Sequence, residues 1–329
     1  MKRIAVVGAG GMARVRAQAL LATGAAEIVG VAARHLPRAQ AFGAEVQCSF
    51  CVDDYRRLRD ARPDAVLVEV PHAAQDEIVL WALEQRCHVL IGGVLAGDAD
   101  TAGRIHDLAR ANKVVVEAGF EARYSACWVE ARRMVAAGEL GRLVAVRSIA
   151  LWGGDPATWY YDQAASGGMP LTHMTYCFIN PLRWLLGDPV NVAAFANRVQ
   201  HTAPGLVREE SCVASVLFPN DVLGSLTAGF VKPGAVPAWS VTLLGTRQAV
   251  EVAPAESGAG GRLTIYRGAE VATRDFADAP NAFDVQARAF LRAVDGHNEC
   301  RNSPADTMGD VRVAEAIVTA VRERRVVTL

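Results

Sequence analysis

The chain has 329 residues, 51% of them apolar and 21% charged, with a formal net charge of −1. That length exceeds one ordinary core and fits two domains of roughly 100–200 residues each. The composition excludes long disordered tails. Near-neutrality lacks the electrostatic footprint of a nucleic-acid binder and leaves a small molecule as the expected partner.

Residues 1 to 120 alternate short apolar runs with helical stretches, the pattern of a parallel sheet covered on both faces. Strands are expected at Arg3–Val7, Glu27–Ala32, Ala65–Glu69, His88–Ile91 and Val114–Ala118, with helices at Ala13–Ala22, Pro37–Phe42, Ala74–Gln85 and Ala99–Ala111. Val46 to Val52 also reads as a strand. It contains Cys48 and Cys51 in C-x-x-C spacing, but no second pair or nearby His completes a zinc set. The seven cysteines are scattered in apolar segments, as expected of reduced thiols in a cytoplasmic protein. The run Ile4–Val7 passes into glycines too soon for a signal peptide, and no apolar stretch of about 20 residues suggests a membrane span.

From residue 121 to 329 the pattern changes to a second α/β domain. A helix over Ser125–Ala137 precedes alternating strands at Leu143–Trp152, Val192–Val199, Ser211–Phe218, Val222–Gly229, Trp239–Leu244 and Arg262–Tyr266. These predict a mostly antiparallel open sheet with helices on one face. A helix at Met174–Leu186 interrupts them, Glu256–Gly261 reads as a glycine-rich hairpin loop, and helices near Ala282–Val294 and Thr307–Arg324 are expected to pack back toward the first domain.

Gly8-Ala9-Gly10-Gly11-Met12-Ala13 follows the first strand and opens the first helix. Gly8 permits a tight turn, Gly10 admits a pyrophosphate close to the backbone, and Ala13 lets helix and strand pack closely. The helix N-terminus offers N–H donors to the phosphates. The motif predicts a Rossmann domain binding a nicotinamide dinucleotide. At the end of the second strand, where a carboxylate would bond a ribose 2′-hydroxyl, the sequence reads Ala33-Arg34-His35. Arg34 can pair with a 2′-phosphate, which favours NADP, with NAD as the alternative.

The chain resembles the Gfo/Idh/MocA oxidoreductase family through Val68-Glu69-Val70-Pro71-His72, Cys87-His88-Val89-Leu90, Glu117-Ala118-Gly119-Phe120, Gly138-Glu139-Leu140-Gly141, Ser166-Gly167-Gly168-Met169, Arg183-Trp184-Leu185-Leu186-Gly187 and Glu315-Ala316. The resemblance implies hydride transfer at a carbinol, carbonyl or imine carbon of a small, sugar- or cyclitol-like substrate. It also implies a homodimer or homotetramer formed through the C-terminal sheet. The family carries E-K-P after the His88–Ile91 strand and an Asp-x-x-x-His pair in the second domain, its lysine exchanging the substrate proton. Here the first segment reads Gly92-Gly93-Val94, and lysine occurs in the chain only at Lys2, Lys113 and Lys232. In one register His173 and Cys177 align with the Asp and His; in the other, Thr172 and Tyr176 do.

A non-lysine acid or base is therefore expected. His173 leads because imidazole titrates near neutrality, followed by Tyr176; Tyr161, Asp162 and, across the Rossmann strand ends, His72 are the other candidates. The resemblance puts Pro71, His72, Gly92 and Gly93 beside the cofactor, with Arg123 bordering the cleft toward substrate. Trp159 and Tyr160, just before the glycine triplet, read from the residues either as a stacking surface for a sugar-like ring or equally as a packed lid, with Asp162 beside them toward substrate. His88, at the start of a buried strand, reads as structural. No metal is expected. Competing readings are a redox-neutral lyase, epimerase or hydrolase using tightly held NAD(P), and a cofactor-binding protein that has lost catalysis.

Overall fold

The computed structural model describes every residue except 232–233, 235–238, 256–257 and 298–299, so Lys232 and the start of the expected 256–261 loop lie outside the described residues. The chain divides into two compact units: residues 1–120 with 283–308, and 121–282 with 309–329.

The first unit contains β1 (Lys2–Val7), α1 (Gly11–Ala22), β2 (Ala26–Ala32), α2 (Leu36–Glu45), β3 (Cys51–Val52), β4 (Ala65–Val68), α3 (His72–Glu84), β5 (His88–Ile91), α4 (Ala99–Asn112) and β6 (Val116–Glu117). The strands form a parallel sheet in the order β3-β2-β1-β4-β5-β6. The order reverses at β1 and β4, and in such sheets ligands bind beyond the carboxyl ends of the strands at that crevice. Near-continuous apolar runs form the sheet because both faces are covered: Ile4, Val6, Val31, Leu67 and Leu90 pack with Ala13, Ala17 and Leu20 of α1.

The expected Val46–Val52 strand shrinks to Cys51–Val52. Helix α2 runs on to Glu45, and Gln47 then takes a φ of 58°, which breaks any extended run. Within the C-x-x-C spacing the Cys51 thiol donates to the Cys48 carbonyl at 3.5 Å, and burial pushes both thiols up, which disfavours the reactive thiolate. Among the described residues no cluster of His, Cys, Asp and Glu could hold a metal, and no helix is long and apolar enough to cross a membrane.

The second unit begins with α5 (Ala126–Ala136), β7 (Leu143–Leu151), the short α6 (Gln163–Ser166), a π-helix over Pro170–Ile179 and α7 (Asn180–Leu186). It continues through β8 (Asn191–Asn197), β9 (Ser211–Phe218), β10 (Val222–Gly229), β11 (Trp239–Gly245), β12 (Ala249–Ala253), β13 (Arg262–Arg267) and β14 (Glu270–Asp275). Helices α8 (Ala282–Val294) and α9 (Pro304–Glu323) and strand β15 (Val327–Thr328) end the chain; nearly all of α8 belongs to the first unit, and the division between units falls inside α9.

The nine-stranded sheet runs β14-β13-β12-β11-β7-β10-β9-β8-β15, antiparallel except for the β7–β10 pair. One face carries Val146, Ala214, Val216, Leu226, Val241 and Val250 into a core with Trp128 of α5, Phe178 of the π-helix and Ile317 of α9. On the other face Phe195 lies opposite Val213, and both are exposed, with Leu223 and Leu244 exposed nearby in the sheet. Strands β12, β14 and β15 were not expected from the sequence. β14 is exposed along its whole length and presents Glu270, Arg274 and Asp275 on a sheet edge, where charge discourages further pairing.

Candidate active site

Within the first unit the expected cofactor residues converge on the carboxyl ends of β1, β2, β4 and β5. Gly8 adopts a φ of +118°, and a Cβ there would collide with the Glu69 carbonyl oxygen, so only glycine fits. Gly10 caps α1 with no side-chain hydrogen bond, and a Cβ on Gly10 or Gly11 would meet nothing within 4 Å. That open space at a helix N-terminus, with Met12 half-buried and Ala13 buried behind it, fits a dinucleotide pyrophosphate. Arg34 and His35 lie exposed beyond β2.

The ends of β4 and β5 hold a feature that local sequence reading did not single out. Glu69 pairs with Arg16 of α1 at 2.7 Å, the two side chains only 8% and 2% exposed. Arg16 also donates to the Gly119 carbonyl and to Gln286 Oε1, and its guanidinium lies 4.9 Å from the Phe283 ring. A Cβ at Gly92 would fall on the Glu69 carboxylate. The glycine therefore makes room for a carboxylate delivered from the neighbouring strand. The only local signals were an acidic residue ending an apolar strand and an arginine on the buried stripe of α1. Pro71 is the N-cap of α3 and His72 its first residue, earlier than the expected start at Ala74.

Four residues along α3, Asp76 accepts from the Gly97 N–H at 3.2 and 3.1 Å. Burial raises its carboxyl to about 6. The folded chain thus holds this proton more tightly than the unfolded chain. The resulting stabilisation is complete below about pH 4 and is lost as pH rises through about 6. Asp76→Asn is expected to melt higher than wild type at pH 7, with the gap closing by pH 4.5. A gap constant from pH 4 to 8 would contradict this linkage.

In the second unit, β7, β10 and the π-helix gather an aromatic cluster. His173 stacks on Trp152 at 4.8 Å and 27°, meets Phe230 and Tyr160 edge-on, and places Nδ1 3.1 Å from Thr172 Oγ1. Trp159 lies 4.0 Å from Tyr160 between ring centroids. The Tyr176 hydroxyl donates to the Glu121 carboxylate. Neither aligned pair stands out as a pair: His173 and Tyr176 are half-buried, whereas Thr172 and Cys177 are buried. The i→i+5 bonding of this segment widens each turn by one residue, a geometry absent from local sequence signals.

Three expected site residues are held in structural arrangements. Tyr161 is fully buried, its hydroxyl bonded to the Gly154 N–H and to the carbonyls of Gly154 and Phe230. Arg123 is fully buried and donates to the Asn180 side chain and carbonyl, each at 3.0 Å, while Asn180 reaches Asp310, the partner of Arg183. The Asp162 carboxylate caps α6 through the N–H groups of Ala164 and Ala165. His88 Nδ1 accepts from the Val115 N–H at 2.9 Å, joining β5 to the segment before β6.

A parallel sheet of this order, with an open glycine cradle at its first helix, defines a dinucleotide-dependent enzyme of the Rossmann class. Residues 2–120 match an oxidoreductase family with an NAD-binding Rossmann fold, and residues 128–251 match the GFO/IDH/MocA C-terminal domain. The chain belongs to the Gfo/Idh/MocA oxidoreductase family and is an NAD(P)-dependent oxidoreductase. It is similar to a myo-inositol dehydrogenase of Streptomyces leeuwenhoekii, with 27% identity over 300 residues, 89% of this chain and 88% of the relative. The same fold is found in aldose-aldose oxidoreductase from Caulobacter crescentus complexed with glycerol, with a TM-score of 0.89 and 23% identity over 100% of this chain and 99% of that one. It is also found in a levoglucosan dehydrogenase complexed with NADH and levoglucosan, with a TM-score of 0.87 and 18% identity over 100% and 99% of the two chains.

Proposed function

We propose that this enzyme is an NADP-preferring dehydrogenase or reductase acting at a carbinol or carbonyl carbon of a small polyhydroxylated ring, such as a cyclitol or aldose. The observation that carries the cofactor preference is Arg34, an exposed guanidinium beyond β2 where NAD enzymes place a carboxylate. Gly8, Gly10 and Gly11 with the α1 N-terminus hold the pyrophosphate, and Gly93 keeps the β5 end open for the nicotinamide, beside Pro71 and His72, while Gly92 makes room for the Glu69 carboxylate. Bound there, the cofactor supplies or accepts the hydride.

The substrate class is supported by the relatives, whose names give inositol, aldose and levoglucosan as substrates. The aromatic cluster of the second unit agrees with it. Trp152, Trp159 and Tyr160 offer apolar faces to a sugar-like ring. His173, fixed by Thr172 and by stacking, gives a ring hydroxyl a hydrogen-bond partner, and the Tyr176–Glu121 pair provides a second. The exposed sheet face around Phe195 and Val213 is our reading of the contact between copies in a homodimer or homotetramer; a monomer in sedimentation would remove it.

Cofactor titration tests the main reading. Arg34→Ala is expected to weaken NADP by about 1.5–3 kcal/mol, roughly 10- to 10²-fold, through loss of a charge-assisted pair. NAD affinity should stay within about twofold, because no 2′-phosphate is there to be lost. Equal weakening of both cofactors overturns the preference.

A further inference from the structure

We infer that the His72 imidazole, standing over Gly93 at the carboxyl end of β5, exchanges the proton with the reacting oxygen, and that Glu69 with Arg16 positions the segment that carries it. The inference rests on the oxidoreductase reading and adds to it the identity of the acid and base.

The geometry comes from two adjacent glycines. A Cβ on Gly93 would meet a single neighbour within 4 Å, His72 Nε2 at 3.7 Å, and a Cβ on Gly92 would fall on the Glu69 carboxylate. The end of β5 thus presents bare backbone, and the two functional groups above it arrive from the end of β4. His72 is the first residue of α3, where Pro71 fixes the entry of the chain, and it is buried with 9% exposure. Glu69, three residues earlier, is tied to Arg16, which also holds the Gly119 carbonyl. Gly119 in turn donates its N–H to the Gly93 carbonyl at 2.8 Å. One connected set of contacts therefore fixes the β4 end, the β5 end and the chain after β6 around the imidazole.

No lysine among the described residues competes for this place. Lys2 opens β1 at the amino end of the sheet and pairs with Asp295 at 2.8 Å, and Lys113 is the C-cap of α4. The charged groups on the elements near His72 are Glu69, neutralised by Arg16; Asp76, one turn further along α3, with Asp98 near it; and Glu77, which pairs with Arg56 and accepts from the Tyr55 hydroxyl. β5 contributes glycines there and no charge.

In the oxidative direction a bound nicotinamide dinucleotide would supply the hydride acceptor for the carbinol carbon. The carbon's C–O bond becomes C=O, and the hydroxyl proton passes to neutral His72 Nε2, which later releases it to solvent. In reduction His72 starts as imidazolium and protonates the forming alkoxide. Oxidation should therefore rise, and reduction fall, as pH passes through the histidine range of about 5 to 8.

The test compares wild type, His72→Asn, His72→Ala and His72→Ala/Gly93→Lys. Oxidation of myo-inositol and D-glucose and reduction of the corresponding ketones are followed from pH 5 to 10, alongside NADPH affinity by fluorescence. His72→Asn should lower kcat at least about 10²-fold and abolish the histidine limb of the pH profile, with NADPH affinity within about threefold. The double variant should regain at least about tenfold over His72→Ala, with its limb displaced toward the lysine range. Independently of turnover, the ring nitrogens of ¹⁵N-histidine protein with NADP⁺ bound should show one imidazole, absent in His72→Asn, that titrates between pH 5 and 8. Retention of kcat within about threefold, persistence of the histidine limb, or a His72 ring that does not titrate overturns the assignment. Inactivity of wild type on all polyols with a titrating His72 ring would instead overturn the proposed substrate class.

Discussion

His173→Ala is expected to lower kcat/KM at least about 10²-fold if, as proposed, its imidazole holds a substrate hydroxyl. The imidazole is fixed by Trp152 and Phe230 and bonded to Thr172, so its orientation is set before substrate arrives. NADPH affinity should stay near wild type, and melting should fall by about 4–8 °C, for the lost ring contacts with Trp152, Tyr160 and Phe230. The pH profile separates the two histidines. If His72 exchanges the proton, the histidine limb survives in His173→Ala and is lost in His72→Asn. Near-normal kcat/KM in His173→Ala would pass the substrate contact to Tyr176, bonded to Glu121 in the same unit.

The largest stability effect is expected from Glu69→Ala. The variant leaves the Arg16 guanidinium, whose side chain is 2% exposed, without its carboxylate. Breaking a buried pair from one side typically costs about 3–5 kcal/mol, because the remaining charge is neither paired nor hydrated. Melting should fall by about 10 °C or more. Arg16→Leu/Glu69→Ala should recover part of that loss, since removing both charges also removes the desolvation penalty. A single variant that melts within about 2 °C of wild type would show that Glu69 and Arg16 stabilise the first unit little.

The first unit was largely legible because a parallel sheet covered on both faces must be built from apolar runs, and because the cofactor turn needs glycine where a Cβ would collide. Gly8 illustrates both local constraints: its φ is +118° and its neighbour is the Glu69 backbone. Legibility failed where pairing was decided elsewhere. Val46 to Val52 has the composition of a strand, yet α2 and the positive φ of Gln47 leave only Cys51–Val52 to pair with β2. β14 has no buried face to write an alternating pattern, and β15 exists because Val327 and Thr328 find the edge of β8.

The candidate site divides in the same way. The sequence by itself determined the dinucleotide cradle, Arg34 in place of a carboxylate at the β2 end, and the family to which the chain belongs, since each depends on residues close together or in fixed order. Only the tertiary structure decided which expected groups are held by structural bonds. Tyr161, Arg123 and Asp162 carry chemistry a substrate could use, but their polar atoms meet backbone groups, Asn180 or a helix end that no local pattern announces. It likewise decided what stands over Gly92 and Gly93. Two glycines in a row record that side chains are missing, whereas the carboxylate at Gly92 and the imidazole over Gly93 come from the chain between β4 and α3, more than 20 residues earlier. They are brought there because parallel strands with right-handed crossovers place consecutive strand ends side by side.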